Sequence, residues 1–269
     1  GWLDDEAWPK ALEYANACGA FAVSRHGCTP AYPSLEELKF FLQRGVIRPD
    51  LRNDAELEQI HWATNRHRNH GGDWSQMRVF AFDHRMQLEE MAGYSPAKGG
   101  AFKELCLQAA LQVRAGRPGY GILCDNRIGR QALHAASGTG LWIGRPCEWP
   151  GSRPLELEPE LGADFGGLDV WARENVVKVL CFCHPDDDAA TRTAQQATVK
   201  RLFTAARRND LEFLLEIIPS KVAPVDDMTT ATLIRQFYVI GVYPDWWKLE
   251  PMVTHAAWQN AIDAIEAHA

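Results

Sequence analysis

Four charged residues lie in or directly after apolar runs of the sequence, and their types suit the chemistry of carbonyl compounds. They are Asp83, Lys178, Glu216 and Lys248. Desolvation disfavours an ammonium group, and a neutral amine can attack a carbonyl carbon to form a Schiff base. A nearby carboxylate can carry the protons that this reaction moves. The structural alternative is a lysine at a strand end whose ammonium reaches water. Two lysines and two carboxylates together favour a functional cluster.

The order of the predicted elements brings these four residues to one edge of a sheet. Six short apolar runs alternate with helical patterns, and they lie at 78–82, 120–124, 140–143, 176–182, 211–218 and within 242–251. Such runs are typical of a parallel sheet buried on both faces. Polar residues follow many of them, and no Gly-x-Gly-x-x-Gly follows the first. We therefore predict an α/β fold of the TIM (β/α)8 barrel type, with about six βα units present, rather than a doubly wound sheet.

The residues before the first run predict helices. Helical spacing covers about 4–24, and Ser34 with Glu37 predicts a capping box that opens a second helix, ending near Arg44. Two helices of this size are too small to bury a core of their own. The expected domains are a helical tail over 1–48, a linker with a short helix over 49–76, and the barrel domain over 77–269.

Composition limits the classes of partner. The formal net charge of −7 gives no basic surface for nucleic acid, and no run of eighteen apolar residues predicts a membrane span. Seven scattered cysteines without a Cys-x-x-Cys pair favour reduced thiols in a cytoplasmic protein. We also expect the protein to form a homo-oligomer. The chain begins at Gly1 without an initiator methionine and ends inside a helical pattern. We therefore expect a piece of a longer protein whose barrel needs two further units downstream.

Further polar residues follow the apolar runs and are candidates for binding a substrate. They are His84, Arg85, Asp125, Arg127 and His184. Arginine binds carboxylate and phosphate groups through paired hydrogen bonds, although Arg85 and Arg127 are equally well explained as surface residues. We predict no bound metal. The alternative is a metal-dependent site, whose imidazole and carboxylate ligands would be His84, Asp125, Glu148 and His184.

Residues 11–37 resemble the C-terminal tail of the ribokinase-type (PfkB) sugar kinases. The matching segments are 11–20, Gly27-Cys28, and Ala31-Tyr32-Pro33-Ser34 followed by Glu37. The catalytic Gly-Ala-Gly-Asp motif of that family should lie upstream of Gly1. The resemblance thus implies ATP and Mg²⁺ for a kinase portion whose site is absent from this sequence.

The lysines of the predicted sheet resemble those of the class I aldolases of the TIM-barrel superfamily, especially the tagatose-bisphosphate aldolase group. The matching segments are 177–180, 215–217 and 247–250. The resemblance implies that Lys248 forms the Schiff base and that Glu216 or Asp83 moves protons. It implies that Lys178 tunes Lys248 or holds an oxyanion, and that the aldolase domain needs no cofactor.

The two resemblances together indicate the bifunctional proteins of bacterial myo-inositol catabolism. In that family a kinase phosphorylates 5-dehydro-2-deoxy-D-gluconate, and an aldolase cleaves the product into dihydroxyacetone phosphate and malonate semialdehyde. The segments similar to this aldolase are 82–85, 124–127 and 183–187. The implied partner is a sugar-phosphate keto acid. The rival of a different class is a non-catalytic, sugar-phosphate-binding regulatory domain of the kinase, since a fold does not fix a function.

Overall fold

A computed structural model describes residues 7–25, 27–45, 51, 54–65 and 76–268. The chain divides into two compact units, Gly1–His67 and Arg68–Ala269. The basic stretch of the sequence at 66–70 lies outside the described residues. Within them, no helix is both long and apolar enough to cross a membrane.

The first unit is helical, as predicted. Its helices are α1 (Ala7–Ser24), α2 (Leu35–Arg44) and α3 (Ala55–Asn65). The predicted capping box is confirmed: Glu37 N–H donates to Ser34 Oγ, and Ser34 N–H donates to Glu37 Oε2 at 2.7 Å. The first two helices do not form a core by themselves. Leu57 of α3 packs with Phe21 of α1 and Phe41 of α2 in one buried cluster.

A buried carboxylate joins the three helices of this unit. The Glu37 side chain is 0 % exposed, and it lies 2.7 Å from Arg25 Nη2 and 3.1 Å from His61 Nδ1. Burial alone would raise the pKa of Glu37. The hydrogen bonds from His61, from the Ser34 backbone and from Arg25 outweigh burial and lower this pKa to about 2.

The second unit is an α/β structure around one parallel sheet, as predicted. Its strands are β1 (Arg78–Ala81), β2 (Tyr120–Leu123), β3 (Trp142–Pro146), β4 (Asn175–Cys181), β5 (Glu212–Ile217) and β6 (Trp246–Leu249). Each strand is parallel to the next in sequence, so the order in the sheet is β1-β2-β3-β4-β5-β6. Its helices are α4 (Met86–Glu89), α5 (Pro96–Arg114), α6 (Asn126–Ala136), α7 (Ala189–Arg208), α8 (Thr229–Val239) and α9 (His255–Glu266). The short α4 is the helix that the sequence pattern did not predict.

Alternation along each strand divides the sheet into two apolar faces. On one face, Val177 and Phe213 pack in the same buried cluster as residues of α7 and α8, such as Leu202 and Ile234. The other face carries a separate cluster of Leu123, Trp142, Val176 and Leu214, with Trp246 against it. Strands β2 to β5 are therefore buried on both faces, as the continuous apolar runs predict. The two outer strands differ from that prediction, because β1 is exposed along its length and β6 is half-buried.

The sheet curls strongly about this second cluster. The rings of Trp142 on β3 and Trp246 on β6 have centroids 5.6 Å apart. Neighbouring strands are about 4.8 Å apart, so in a flat sheet the two side chains would be separated by roughly 14 Å. The curl brings side chains from distant strands together on the concave face, which is the arrangement of a barrel wall.

Candidate active site at the carboxyl end of the sheet

Lys178 lies at the centre of a charged cluster just above the apolar layer on the concave face. Its side chain is 3 % exposed, and it follows Val176 by two residues on β4, so both point to the same side. Its Nζ lies 2.9 Å from Glu216 Oε2, 3.2 Å from Glu148 Oε1 and 3.3 Å from Asp83 Oδ2. Three carboxylates from β5, from the segment after β3 and from the segment after β1 thus surround one ammonium.

Lys248 is the accessible member of the same cluster. It pairs in register with Glu216 across β5 and β6, and its Nζ lies 2.5 Å from Glu216 Oε1. The Lys248 side chain is 40 % exposed, whereas that of Glu216 is 7 % exposed. Glu216 therefore bridges a buried lysine and an open one.

A second ion pair network supports the cluster from the β3 side. Arg85 Nη2 donates to Glu148 Oε1 at 2.7 Å, and Arg85 Nη1 donates to Glu158 Oε1 at 2.9 Å and to the Glu148 carbonyl at 2.7 Å. Glu148 Oε2 also accepts the Leu180 backbone N–H at 3.0 Å. Since all these groups are buried, the Arg85 guanidinium is committed to two carboxylates, and we do not assign it to a substrate anion.

Electrostatics set the charge states of Asp83 and Lys178. Burial alone would raise the pKa of Asp83, but Lys178, Lys248 and Arg85 outweigh it, and the pKa lies below its ordinary value. Burial alone would lower the pKa of Lys178, but the carboxylates of Glu148, Asp83 and Glu216 outweigh it and raise that pKa. Lys178 is therefore held as an ammonium, which is not a nucleophile.

Two of the predicted substrate-binding residues have internal partners. Asp125 is 1 % exposed, its Oδ2 caps α6 by accepting Ile128 N–H at 2.7 Å, and its Oδ1 lies 2.6 Å from Lys103 Nζ. The buried His184 ring has Nε2 at 3.1 Å from the Pro224 carbonyl and accepts Asp186 N–H at Nδ1. Both side chains thus bond to partners other than Lys178 and Lys248.

The other two predicted binding residues are exposed. Arg127 follows the end of β2, pairs with Glu89 at 3.1 Å and lies over the Trp149 ring at 5.3 Å from its centroid. His84 is exposed directly after Asp83, and its carbonyl accepts a hydrogen bond from Lys103. Arg127, whose side chain is 38 % exposed, is thus the more accessible of the two candidate arginines, since that of Arg85 is 5 % exposed.

The alternative metal site is not assembled among the described residues. Its proposed ligands have separate partners: Asp125 bonds Lys103, Glu148 bonds Lys178 and Arg85, and His184 bonds Pro224. In residues 7–25, 27–45, 51, 54–65 and 76–268, no group of three or more His, Cys, Asp or Glu side chains is arranged to hold a metal ion.

Sequence reasoning placed Glu148 only in the alternative metal site and missed Glu158 and Lys103. A signal for Glu148 existed, because it continues the alternation of Trp142, Gly144 and Pro146 toward the concave face. Glu158 reaches Arg85 because a bridge between Glu148 and Leu157 folds the chain back. The segment between these two residues has no helical or strand periodicity in the sequence that would predict the fold-back.

A family model described as "Uncharacterized protein conserved in bacteria (DUF2090)" matches residues 37–269. The match begins within α2 and includes α3, all six strands and every residue of the charged cluster. No curated protein matches the chain.

Proposed function

The chain belongs to the DUF2090 family, and we propose that it is a carbon–carbon lyase in which Lys248 forms a Schiff base with a ketone substrate. The observation that carries this proposal is the contact between Lys248 and Glu216: the Lys248 side chain is 40 % exposed, and its Nζ is 2.5 Å from an oxygen of the buried Glu216 carboxylate. Imine formation requires an accessible amine and a group that removes its proton. Lys178, 3 % exposed and surrounded by carboxylates, supplies no such amine.

The proposed reaction starts with proton transfer from Lys248 to Glu216. The neutral amine adds to the substrate ketone, and loss of water gives an iminium ion. The bond between the α and β carbons of this iminium then breaks. The β-hydroxyl gives its proton to a carboxylate base and becomes the carbonyl of the released aldehyde, and the electron pair of the broken bond forms the enamine double bond as the C=N pair moves to nitrogen. Protonation of the enamine and addition of water return Lys248 and release a ketone. Glu216 moves these protons, while Lys178 stays charged 2.9 Å from Glu216 Oε2 and holds that side chain in place.

The proposed substrate is a phosphorylated keto acid, 5-dehydro-2-deoxy-6-phosphogluconate, cleaved to dihydroxyacetone phosphate and malonate semialdehyde. The support is the resemblance of segments 82–85, 124–127 and 183–187 to the inositol-catabolic aldolases. Arg127, exposed in the first turn of α6, is the proposed contact for an anionic group of this substrate. Further support is that the sheet curls like the wall of a TIM-type barrel, whose active sites lie at the carboxyl ends of the strands.

The helical unit is proposed to be the tail of a PfkB-type kinase that supplies this phosphorylated substrate. Its support is the sequence resemblance over residues 11–37. Residues 1–48 contain no Gly-Ala-Gly-Asp motif, so they do not fit a site for ATP and Mg²⁺. No phosphoryl-transfer step is therefore derived for this chain.

Borohydride trapping tests the proposal. The protein is incubated with dihydroxyacetone phosphate or the phosphorylated keto acid, reduced, digested and analysed by mass spectrometry. We expect a stable adduct on the peptide that contains Lys248, and no adduct in Lys248→Met. Lys221→Met is the matched control, because Lys221 is an exposed lysine in the turn that follows β5, and the adduct should persist in it.

Three results would contradict the proposal, and each indicates a different replacement. An adduct on Lys178 keeps the Schiff base and exchanges the two lysines. Turnover without an adduct that a chelator abolishes indicates a metal-dependent aldolase. Ligand binding without turnover that survives Lys248→Met indicates a regulatory binding domain.

A further inference from the structure

Lys103 is a buried charge that the proposed reaction does not use. It lies on α5 and is 1 % exposed, like its partner Asp125, from which its Nζ is 2.6 Å away. The same Nζ donates hydrogen bonds to two backbone carbonyls, those of Phe82 and His84. All three ammonium hydrogens therefore have acceptors, and the two carbonyls belong to the residues on either side of Asp83.

These two carbonyls lie where the strand pairing stops. The register between β1 and β2 ends at Ala81 and Leu123, and Phe82 N–H makes one further bond to the Leu123 carbonyl. Beyond that point Lys103 takes the place of a neighbouring strand as the donor. It thereby holds the backbone at Asp83 in position after the regular ladder has ended.

The packing of α5 against α6 makes room for this lysine. Gly129 on α6 has no space for a side chain: a Cβ there would lie 2.4 Å from Cys124 Sγ and 3.7 Å from the Lys103 side chain. Asp125 sits at the first position before α6 and accepts Ile128 N–H, so its carboxylate is fixed by the helix start. Lys103 thus meets a partner that is itself immobilised.

From this geometry we propose that Lys103 is a positioning residue of the active site. Paired with Asp125, it fixes the backbone on both sides of Asp83 and so aims the Asp83 carboxylate at Lys178, 3.3 Å away. Lys178 in turn contacts Glu216, and Glu216 contacts Lys248. The catalytic consequence rests on the proposed function, whereas the placement of Asp83 does not.

A purely structural role is the simpler alternative, but it explains less. Apolar residues of similar volume often replace a buried ion pair without loss of stability. A lysine here is explained by its two carbonyl bonds, which an apolar side chain cannot make. Those bonds are made to the two neighbours of Asp83, whose carboxylate contacts Lys178.

The test measures the pKa of Asp83 in the full chain by carboxyl ¹³C NMR of aspartate-labelled protein, with the signal assigned from Asp83→Asn. The variant is the double replacement Lys103→Met with Asp125→Asn. It removes one charge of each sign, so the local net charge is unchanged, and asparagine still caps a helix. Lys200→Met is the matched control, because half-buried Lys200 also donates to a backbone carbonyl, that of Gly241, away from the site.

The groups that face Asp83 and hold its pKa low are Lys178, Lys248 and Arg85. If Lys103 positions Asp83, the double variant loosens the contact with Lys178, and the pKa of Asp83 rises toward the ordinary value of an aspartate. Turnover should fall by about 10- to 100-fold in kcat with little change in KM. The Lys200→Met control should leave both quantities at their wild-type values.

A folded double variant with the wild-type pKa at Asp83 would overturn the positioning role, as would an equal shift in Lys200→Met. If the double variant does not fold, Lys103→Gln with Asp125→Asn decides, because it also removes one charge of each sign and keeps polar side chains at both positions. A rise in the pKa of Asp83 supports the inference, and an unchanged or lower pKa overturns it. The NMR result does not depend on turnover, so a wild-type protein without a Lys248 adduct would refute the lyase proposal separately.

Discussion

Replacing Lys178 with methionine removes the positive centre of the cluster and leaves three carboxylates facing one another. In the wild-type protein the oxygens of Asp83, Glu148 and Glu216 all lie within 3.3 Å of its Nζ, and the lysine side chain is 3 % exposed. Methionine has a similar length and fills the space without a charge. The perturbation is therefore electrostatic rather than a loss of packing.

The expected loss of stability is large. Removing one partner of a buried ion pair costs about 3–5 kcal/mol, because the remaining charge is left without compensation. Here the lost ammonium served three carboxylates, although Lys248 still contacts Glu216 and Arg85 still contacts Glu148. Because these ion pairs remain, we expect a loss of about 3–5 kcal/mol at pH 7, as for a single broken pair.

The sign of the pH dependence follows from Asp83. In the wild-type protein its pKa is lowered, so Asp83 contributes stability above its unfolded value of about 3.9, and that stability is lost as the pH falls through the folded value. In Lys178→Met, burial and the neighbouring carboxylates would raise the folded pKa above the unfolded one. The penalty is then present at neutral pH and is relieved by acid.

Urea unfolding of wild type and Lys178→Met at pH 7 and pH 5 measures both effects. The difference in free energy of unfolding should be about 3–5 kcal/mol at pH 7 and smaller by about 1 kcal/mol or more at pH 5. Lys200→Met, which loses one bond to a backbone carbonyl, should cost about 1 kcal/mol at both pH values. A difference below about 1 kcal/mol for Lys178→Met, or one that grows in acid, would refute the reasoning.

Three further predictions concern stability, each measured by urea or thermal unfolding. Glu37→Gln should destabilise the helical unit by about 2–3 kcal/mol at pH 7. The difference in free energy of unfolding should vanish as the pH falls from about 4 toward the folded pKa of about 2, and a loss that does not depend on pH would contradict the assigned ion pairs. Gly144→Ala should cost about 1–3 kcal/mol, because its Cβ would lie 2.4 Å from the Leu123 side chain; an unchanged midpoint would contradict this. Thr254→Ala should cost about 1 kcal/mol, because the Thr254 hydroxyl accepts Ala257 N–H at the start of α9. Thr254→Ser keeps that hydroxyl and should retain the wild-type stability.

The scaffold was predictable from the sequence because its signals are local. The apolar runs of the sequence appear as the strands β1 to β6, which are four to seven residues long, and Ser34 with Glu37 appears as a capping box. Boundaries were less accurate where side chains intervene. The run from Val242 becomes a strand only at Trp246, because Pro244 has no N–H to donate and the Asp245 carboxylate instead bonds Phe213 N–H and Arg207.

The site was predictable only in part. The sequence marked Lys178, Glu216, Lys248 and Asp83 because each interrupts or ends an apolar run, and the structure brings these four together. The same rule marked Asp125 and His184, but a residue that ends a strand can equally begin a helix or bond a nearby carbonyl, as these two do. Which outcome applies depends on the direction of the side chain and on partners distant in sequence, such as Lys103 for Asp125.

The strands of the sheet lie in the order in which the chain is made. Each strand pairs with the one synthesised just before it, so the scaffold can assemble progressively during translation, without waiting for a distant segment. The charged residues of the site are not synthesised next to their partners in this way. Asp83 and Glu148 precede Lys178 in the chain, but Glu216 and Lys248 follow it. A nascent chain that ends after β4 therefore contains Lys178 and two of its carboxylates, whereas Glu216 and Lys248 are added with β5 and β6.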